Sequence, residues 1–129
     1  MKDSEPFKLK NRVLSFKYAL DGLQRLISEE HNARIHAIVA IMVIGCSIWF
    51  NISPLEWCLV LLSVGIVFIS EAFNSSIERL ADLYSRDKNP QIKVVKDLAA
   101  GAVLLAALIA LIIGLIIFIP KILALGRTF

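Results

Sequence analysis

The chain has 129 residues, 57% of them hydrophobic, with a mean hydropathy of +0.72 and a formal net charge of +3. That apolar share is well above what a soluble domain carries. The charge does not read as a nucleic-acid footprint: Lys and Arg number seven before Ile35, none from Ile35 to Leu55, five from Arg79 to Lys96 and two after Pro120, which is the positive-inside pattern of a membrane protein.

MKDSEP, residues 1–6, is polar and reads as a flexible N-terminus. From about 7 to 28 the pattern is that of an amphipathic helix. Phe16, Leu20, Leu23 and Ile27 form one face, with Lys10, Lys17, Asp21 and Gln24 largely off it. Such a helix lies in the membrane interface rather than across it. Three segments then lack Asp, Glu, Lys and Arg: Ile35–Leu55, Trp57–Ser70 and Leu98–Pro120. The first and third are long enough for the roughly 20 residues that a span needs. The second reaches that length by continuing into SEAFNSSIE.

The expected architecture is an all-α membrane protein of one domain, residues 7–129. Its surface helix is followed by transmembrane helices at about 33–51, 55–83 and 92–119. NISP breaks the first span from the second, with Pro54 suited to the first helical turn, and Asn89-Pro90 is the next turn signal. The first apolar run starts too late for a cleavable signal peptide. Gly101, Ala102, Ala106, Ala107, Ala110 and Gly114 on the third span are expected to allow close helix approach. Cys46 and Cys58 read as small buried hydrophobes with no metal-ligand spacing. The charge pattern places the N-terminal segment and the 79–97 loop in the cytoplasm, and the NISPLE turn and the C-terminus on the outer side.

The stretch ISEAFNSSIERLAD (69–82) carries Glu71, Asn74, Glu78 and Asp82 where the second span should be ending. At about 100° per residue all four fall within an arc of about 80° on one side of the helix. That side cannot face lipid, because an intramembrane carboxylate turns toward partners or water. Arg12, Arg34, Lys96 or a bound metal could supply the positive charge. Hard oxygen donors suit Mg²⁺, which takes one or two carboxylates together with phosphate oxygens. Glu30 could be a second acidic ligand at the same depth, and Lys96 could reach a phosphate. Spacing alone leaves two readings open, a pocket for a metal–polyphosphate or a polar network that pins three helices. No glycine-rich phosphate loop is present. His31 and His36 are not at the i, i+4 spacing of a helical zinc pair and read as interfacial or packed imidazoles.

SEAFNSSIERLAD resembles the signature of the small bacterial integral-membrane diacylglycerol kinase and undecaprenol kinase family, approximately E-x-x-N-[ST]-[AS]-I-E-x-x-x-D. FKYALDGL (16–23), EHNARIH (30–36), SPLEW (53–57) and KDLAAGAVLL (96–105) follow in the family's order and spacing. The resemblance covers nearly the whole chain after Phe7. It implies a homotrimer with active sites shared between subunits, in the bacterial inner (cytoplasmic) membrane, with the active site on the cytoplasmic side.

The donor would be ATP with Mg²⁺, and the acceptor a membrane lipid alcohol, diacylglycerol or undecaprenol. The NARIH, PLEW and KDLAAGAVLL segments look more like the undecaprenol kinase branch. By the same resemblance, Glu71 matches the general base and Glu30 and Glu78 the metal-binding carboxylates. Tyr18, Asn74, Asp82, Lys96 and Asp97 match nucleotide-binding positions, Lys96 at the phosphates. The sequence departs from the pattern at Asn11, where some members place an arginine; Arg12 or Lys10 could substitute. A small ion-coupled transporter is the alternative reading, but it needs a carboxylate near the bilayer midplane, and Glu71 lies late in its span. An inactive membrane scaffold is disfavoured by the intact acidic set.

Overall fold

The structure, a computed structural model, describes residues 9–84 and 89–127. The expected flexible segment 1–6 and the side chain of Lys10 lie outside the described part. Four helices follow in order: α1 (Leu9–Glu29), α2 (His31–Trp49), α3 (Pro54–Tyr84) and α4 (Pro90–Gly126). The last three are long and apolar enough to cross a membrane, and no strand occurs among the described residues.

A single extended residue, Glu30 (φ −97°, ψ 121°), separates α1 from α2. Helix α1 packs on the bundle through buried Leu26, while Phe16, Leu20, Leu23 and Ile27 stay exposed on the isolated chain. The apolar face read from the sequence is therefore directed away from the bundle, as an interfacial helix requires.

The α2–α3 turn is built by local chemistry. Asn51 has φ 46°, the left-handed conformation that asparagine tolerates better than most residues. Ile52 N–H donates to Ser47 O at 3.2 Å and Asn51 N–H to Ile48 O at 3.1 Å, the paired bonds of a Schellman ending. Helix α3 opens with a capping box: Ser53 N–H donates to Glu56 Oε2 at 2.7 Å, and Glu56 N–H to Ser53 Oγ at 3.3 Å. Ile52 then packs with Val60 and Ile117, flanked by Trp57, Phe50 and Phe118. The small core of the chain thus sits at the end bearing this turn.

Helices α3 and α4 form the main hairpin, and an ion pair closes each end. Glu56 Oε1 meets Lys121 Nζ at 3.0 Å, and Asp82 Oδ1 meets Lys96 Nζ at 2.7 Å. The two pairs are separated by 25–26 residues of helix, about 38 Å, close to the thickness of a bilayer with its headgroup regions.

Two expectations are corrected, the end of α4 and the burial of the cysteines. Helix α4 does not stop at 119 but runs through Pro120 to Gly126. Proline removes one backbone bond, a loss that membrane helices absorb, and Lys121 beyond it is tied to α3. The small residues of α4 lie along its close packing with α3 in different ways. Ala106 is buried, but Ala107, Ala110 and Gly114 line a cavity, because a missing side chain leaves space where no neighbour moves in. Cys46 and Cys58 are exposed on the chain's surface, a position that costs a small apolar side chain nothing in lipid.

Candidate active site

The uninterrupted α3 carries its acidic face toward the other helices at the end bearing the α3–α4 loop. Glu71 is 2% exposed and Asn74 and Ser75 are also buried. Asn74 Nδ2 donates to Glu78 Oε1 at 3.3 Å. Among the described residues, neither Glu71 Oε1 nor Asn74 Oδ1, both buried, has a hydrogen-bond partner. From α2, His36 brings Nε2 to 3.2 Å from Glu71 Oε1, close enough for electrostatic contact but not aligned as a hydrogen bond. An enclosed carboxylate with an unsatisfied oxygen is costly, and within a membrane span it marks a functional position by default.

Around this centre the other acids are held by cations. Arg79 donates to Glu29 Oε2 at 2.8 Å and to Glu30 Oε1 at 2.9 Å, which ties the α1–α2 junction to α3. Lys96 holds Asp82 across the α3–α4 hairpin. Asp97 is 65% exposed and lies 3.6 Å from Lys93, one turn away on its own helix. Tyr18 is 67% exposed on α1. The fold therefore gathers Glu71, Asn74, Glu78 and, through their charges, Glu30 into one centre, with Asp82 and Lys96 a turn further along. It leaves Asp97 and Tyr18 on the outside of the isolated chain.

The donor set fits a hard divalent cation of the Mg²⁺ kind. Glu30 and Glu78 both lie near enough to act electrostatically on Glu71, and Asn74 Oδ1 is a neutral oxygen with no partner. Among the described residues no group of three His, Cys, Asp or Glu is preassembled to hold a metal.

Beside the polar centre an apolar cavity of about 470 Å³ opens between α2, α3 and α4. His36, Phe68 and Ala107 stand at the end near Glu71, and Val43, Val60 and Ile122 at the far end. Along α4 it extends from Ala107 to Ile122, about 22 Å.

Sequence reasoning missed His36 and Arg79. His36 lies 35 positions from Glu71, and no periodicity links residues on different helices. Arg79 stood inside the acidic stretch, but its partners belong to the α1–α2 junction.

Fold and site together define a three-span membrane protein with an enclosed carboxylate between a cluster of oxygen donors and an apolar cavity. The family described as prokaryotic diacylglycerol kinase matches residues 17–118. The chain is 39% identical over 107 residues to an undecaprenol kinase of Bacillus subtilis, covering 83% of this chain and 87% of that protein. It is 33% identical over 116 residues to a diacylglycerol kinase of Synechocystis, covering 89% of this chain and 66% of that protein. With a diacylglycerol kinase of Escherichia coli it shares 26% identity over 95 residues, covering 74% of this chain and 78% of that protein. The chain belongs to the prokaryotic diacylglycerol kinase family, and is a lipid kinase.

Proposed function

We propose that this kinase transfers the γ-phosphoryl group of ATP to the hydroxyl of a membrane lipid alcohol, undecaprenol or diacylglycerol, at the cytoplasmic face of a bacterial inner membrane. The observation that carries the reading is the position of Glu71. Its carboxylate is buried, has an oxygen free of hydrogen bonds, and adjoins the head of an apolar cavity at His36. A hydrocarbon chain fits that cavity, and its hydroxyl would then end at the carboxylate.

Glu71 takes the hydroxyl proton as general base. The lipid oxygen forms a bond to the γ-phosphorus while the bond to the β–γ bridging oxygen breaks, releasing ADP. Phosphoryl transfer asks mainly for positioning and charge neutralisation. Lys96, held by Asp82 at the membrane surface, turns to the phosphates. Asn74, Asp82, Asp97 and Tyr18 surround the nucleotide, the last two in an assembled homotrimer with sites shared between subunits. Glu30 and Glu78 would hold Mg²⁺, which would supply neutralisation of phosphate charge. Arg79 keeps Glu30 at the depth where it can ligate.

The identity to a relative named undecaprenol kinase, 39% against 33% and 26% for two relatives named diacylglycerol kinase, puts undecaprenol ahead as acceptor. The test is a radiolabel assay in lipid micelles with γ-labelled ATP, Mg²⁺ and each alcohol offered separately. Label is expected in the undecaprenol fraction, and Glu71→Gln should lower turnover by about 10²–10⁴-fold with the assembly intact. Turnover that persists in Glu71→Gln removes Glu71 as base. No label in either lipid from folded protein removes the reading and returns the transporter and scaffold alternatives.

A further inference from the structure

We propose that His36 is a positioning residue of this site: its imidazole secures Oε1 of Glu71, so that the second carboxylate oxygen is directed at the acceptor hydroxyl. The inference rests on the reading of Glu71 as the base. Oε1 of Glu71 is buried without a hydrogen-bond partner, and His36 Nε2 stands 3.2 Å away. A small rotation of the ring aligns an Nε2–H donor with that lone pair. The bond would leave the carboxylate one oxygen with a fixed direction, where an unrestrained group would offer two in many orientations.

The location of His36 carries the inference further. The imidazole lines the apolar cavity and is 24% exposed, whereas Glu71 behind it is 2% exposed. The only other polar side chain in the cavity wall, Ser63, donates its hydroxyl to Leu59 O at 2.7 Å. His36 is therefore the one polar group of the wall that is neither apolar packing nor engaged with its own backbone. A lipid hydroxyl arriving along the cavity would meet His36 first, with Glu71 directly behind it.

A purely structural pin between α2 and α3 is the competing account, and the packing argues against it. Ala33 and Ala40, one turn to either side of His36 on the same face of α2, are themselves buried, so the seam closes without the imidazole. No proton passes through His36 in this account. The hydroxyl proton goes to Glu71, and the ring fixes the orientation of the group that receives it.

The test compares His36→Gln, which keeps an N–H donor, with His36→Met, of similar length but without one and suited to an apolar wall. Full-length protein in lipid micelles is assayed with undecaprenol and Mg·ATP, and binding of a non-hydrolysable ATP analogue is measured in parallel. We expect His36→Met to lower kcat by about tenfold or more, in line with the cost of slight misplacement of a reacting group. Its KM for Mg·ATP and its affinity for the analogue should stay within about twofold of the parent, and His36→Gln should recover most of kcat.

Three results would overturn the proposal. One is unchanged kcat in His36→Met. Another is equal loss in both variants, which removes the donor from the explanation. The third is loss of assembly or of analogue affinity in either variant, which makes the histidine a structural pin. Failure of the underlying reading is separate: turnover that persists in Glu71→Gln removes the base, and a parent protein that labels no lipid removes the lipid-kinase reading itself.

Discussion

At the residue scale, Glu71 divides the two readings that its helical spacing leaves open. A carboxylate that only pins helices should have its oxygens satisfied, yet among the described residues Oε1 has no aligned donor, with His36 Nε2 standing 3.2 Å away outside hydrogen-bond alignment. Leaving such a group unsatisfied costs about 1–3 kcal/mol, so the residue is held at the expense of the fold. Glu71→Leu should therefore leave the thermal midpoint of the folded protein unchanged or raise it while turnover is lost; a clear fall in the midpoint would restore the structural network. Glu78 is half-buried and accepts from Asn74, with acceptor capacity to spare. In Glu78→Gln the Mg²⁺ titration of the rate should move to higher concentration. An unchanged titration would remove Glu78 from the ligands.

At the element scale, the site depends on helices that are fixed at the end remote from it. The α2–α3 turn is specified by a left-handed Asn51, a Schellman ending and a capping box within residues 47–56. Ile52 then inserts into a cluster with Val60 and Ile117. This rigid corner sets the rotation of α3, and hence where Glu71, 15 residues beyond Glu56, meets His36. Asn51→Gly should be close to neutral, because glycine adopts φ 46° without strain. Asn51→Val should cost about 1–2 kcal/mol, read as a lower thermal midpoint against Asn51→Gly. Equal midpoints would mean that the turn relaxes out of the left-handed region.

At the scale of the whole molecule, the three apolar helices bury only 17–22% of their most hydropathic windows within the chain. Most of their surface is therefore available to lipid and to other copies. Tyr18 on α1 and Asp97 near the start of α4 are also exposed on the isolated chain, which accords with sites completed between subunits of the proposed trimer. Mixing provides the test. Glu71→Gln and Lys96→Met proteins should each be inactive, and co-assembly of the two should restore part of the activity if a site takes these residues from different subunits. Mixed assemblies that stay inactive would place Glu71 and Lys96 of each site on one chain.

The sequence by itself determined the class of the protein and which polar groups share one side of α3. Three charge-free runs require a membrane, whose interior admits only backbones that satisfy their own hydrogen bonds. The 3.6-residue period puts Glu71, Asn74, Glu78 and Asp82 on one side of α3, so their clustering is a local property of the chain. Lys96 was legible too, as a cation at the start of the next helix.

Contacts between helices were not legible, because they depend on rotation and depth, which no periodicity encodes. His36 became a neighbour of Glu71, and Arg79 of Glu30, only through packing across α2 and α3. The small residues of α4 became a cavity wall only because no side chain from α2 or α3 fills the space beside them. Pro120 ended α4 on local grounds, but the membrane setting and the Lys121–Glu56 pair carry the helix past it. Short-range geometry therefore fixed which polar groups stand together on α3, and the tertiary arrangement decided which groups from the other helices meet them.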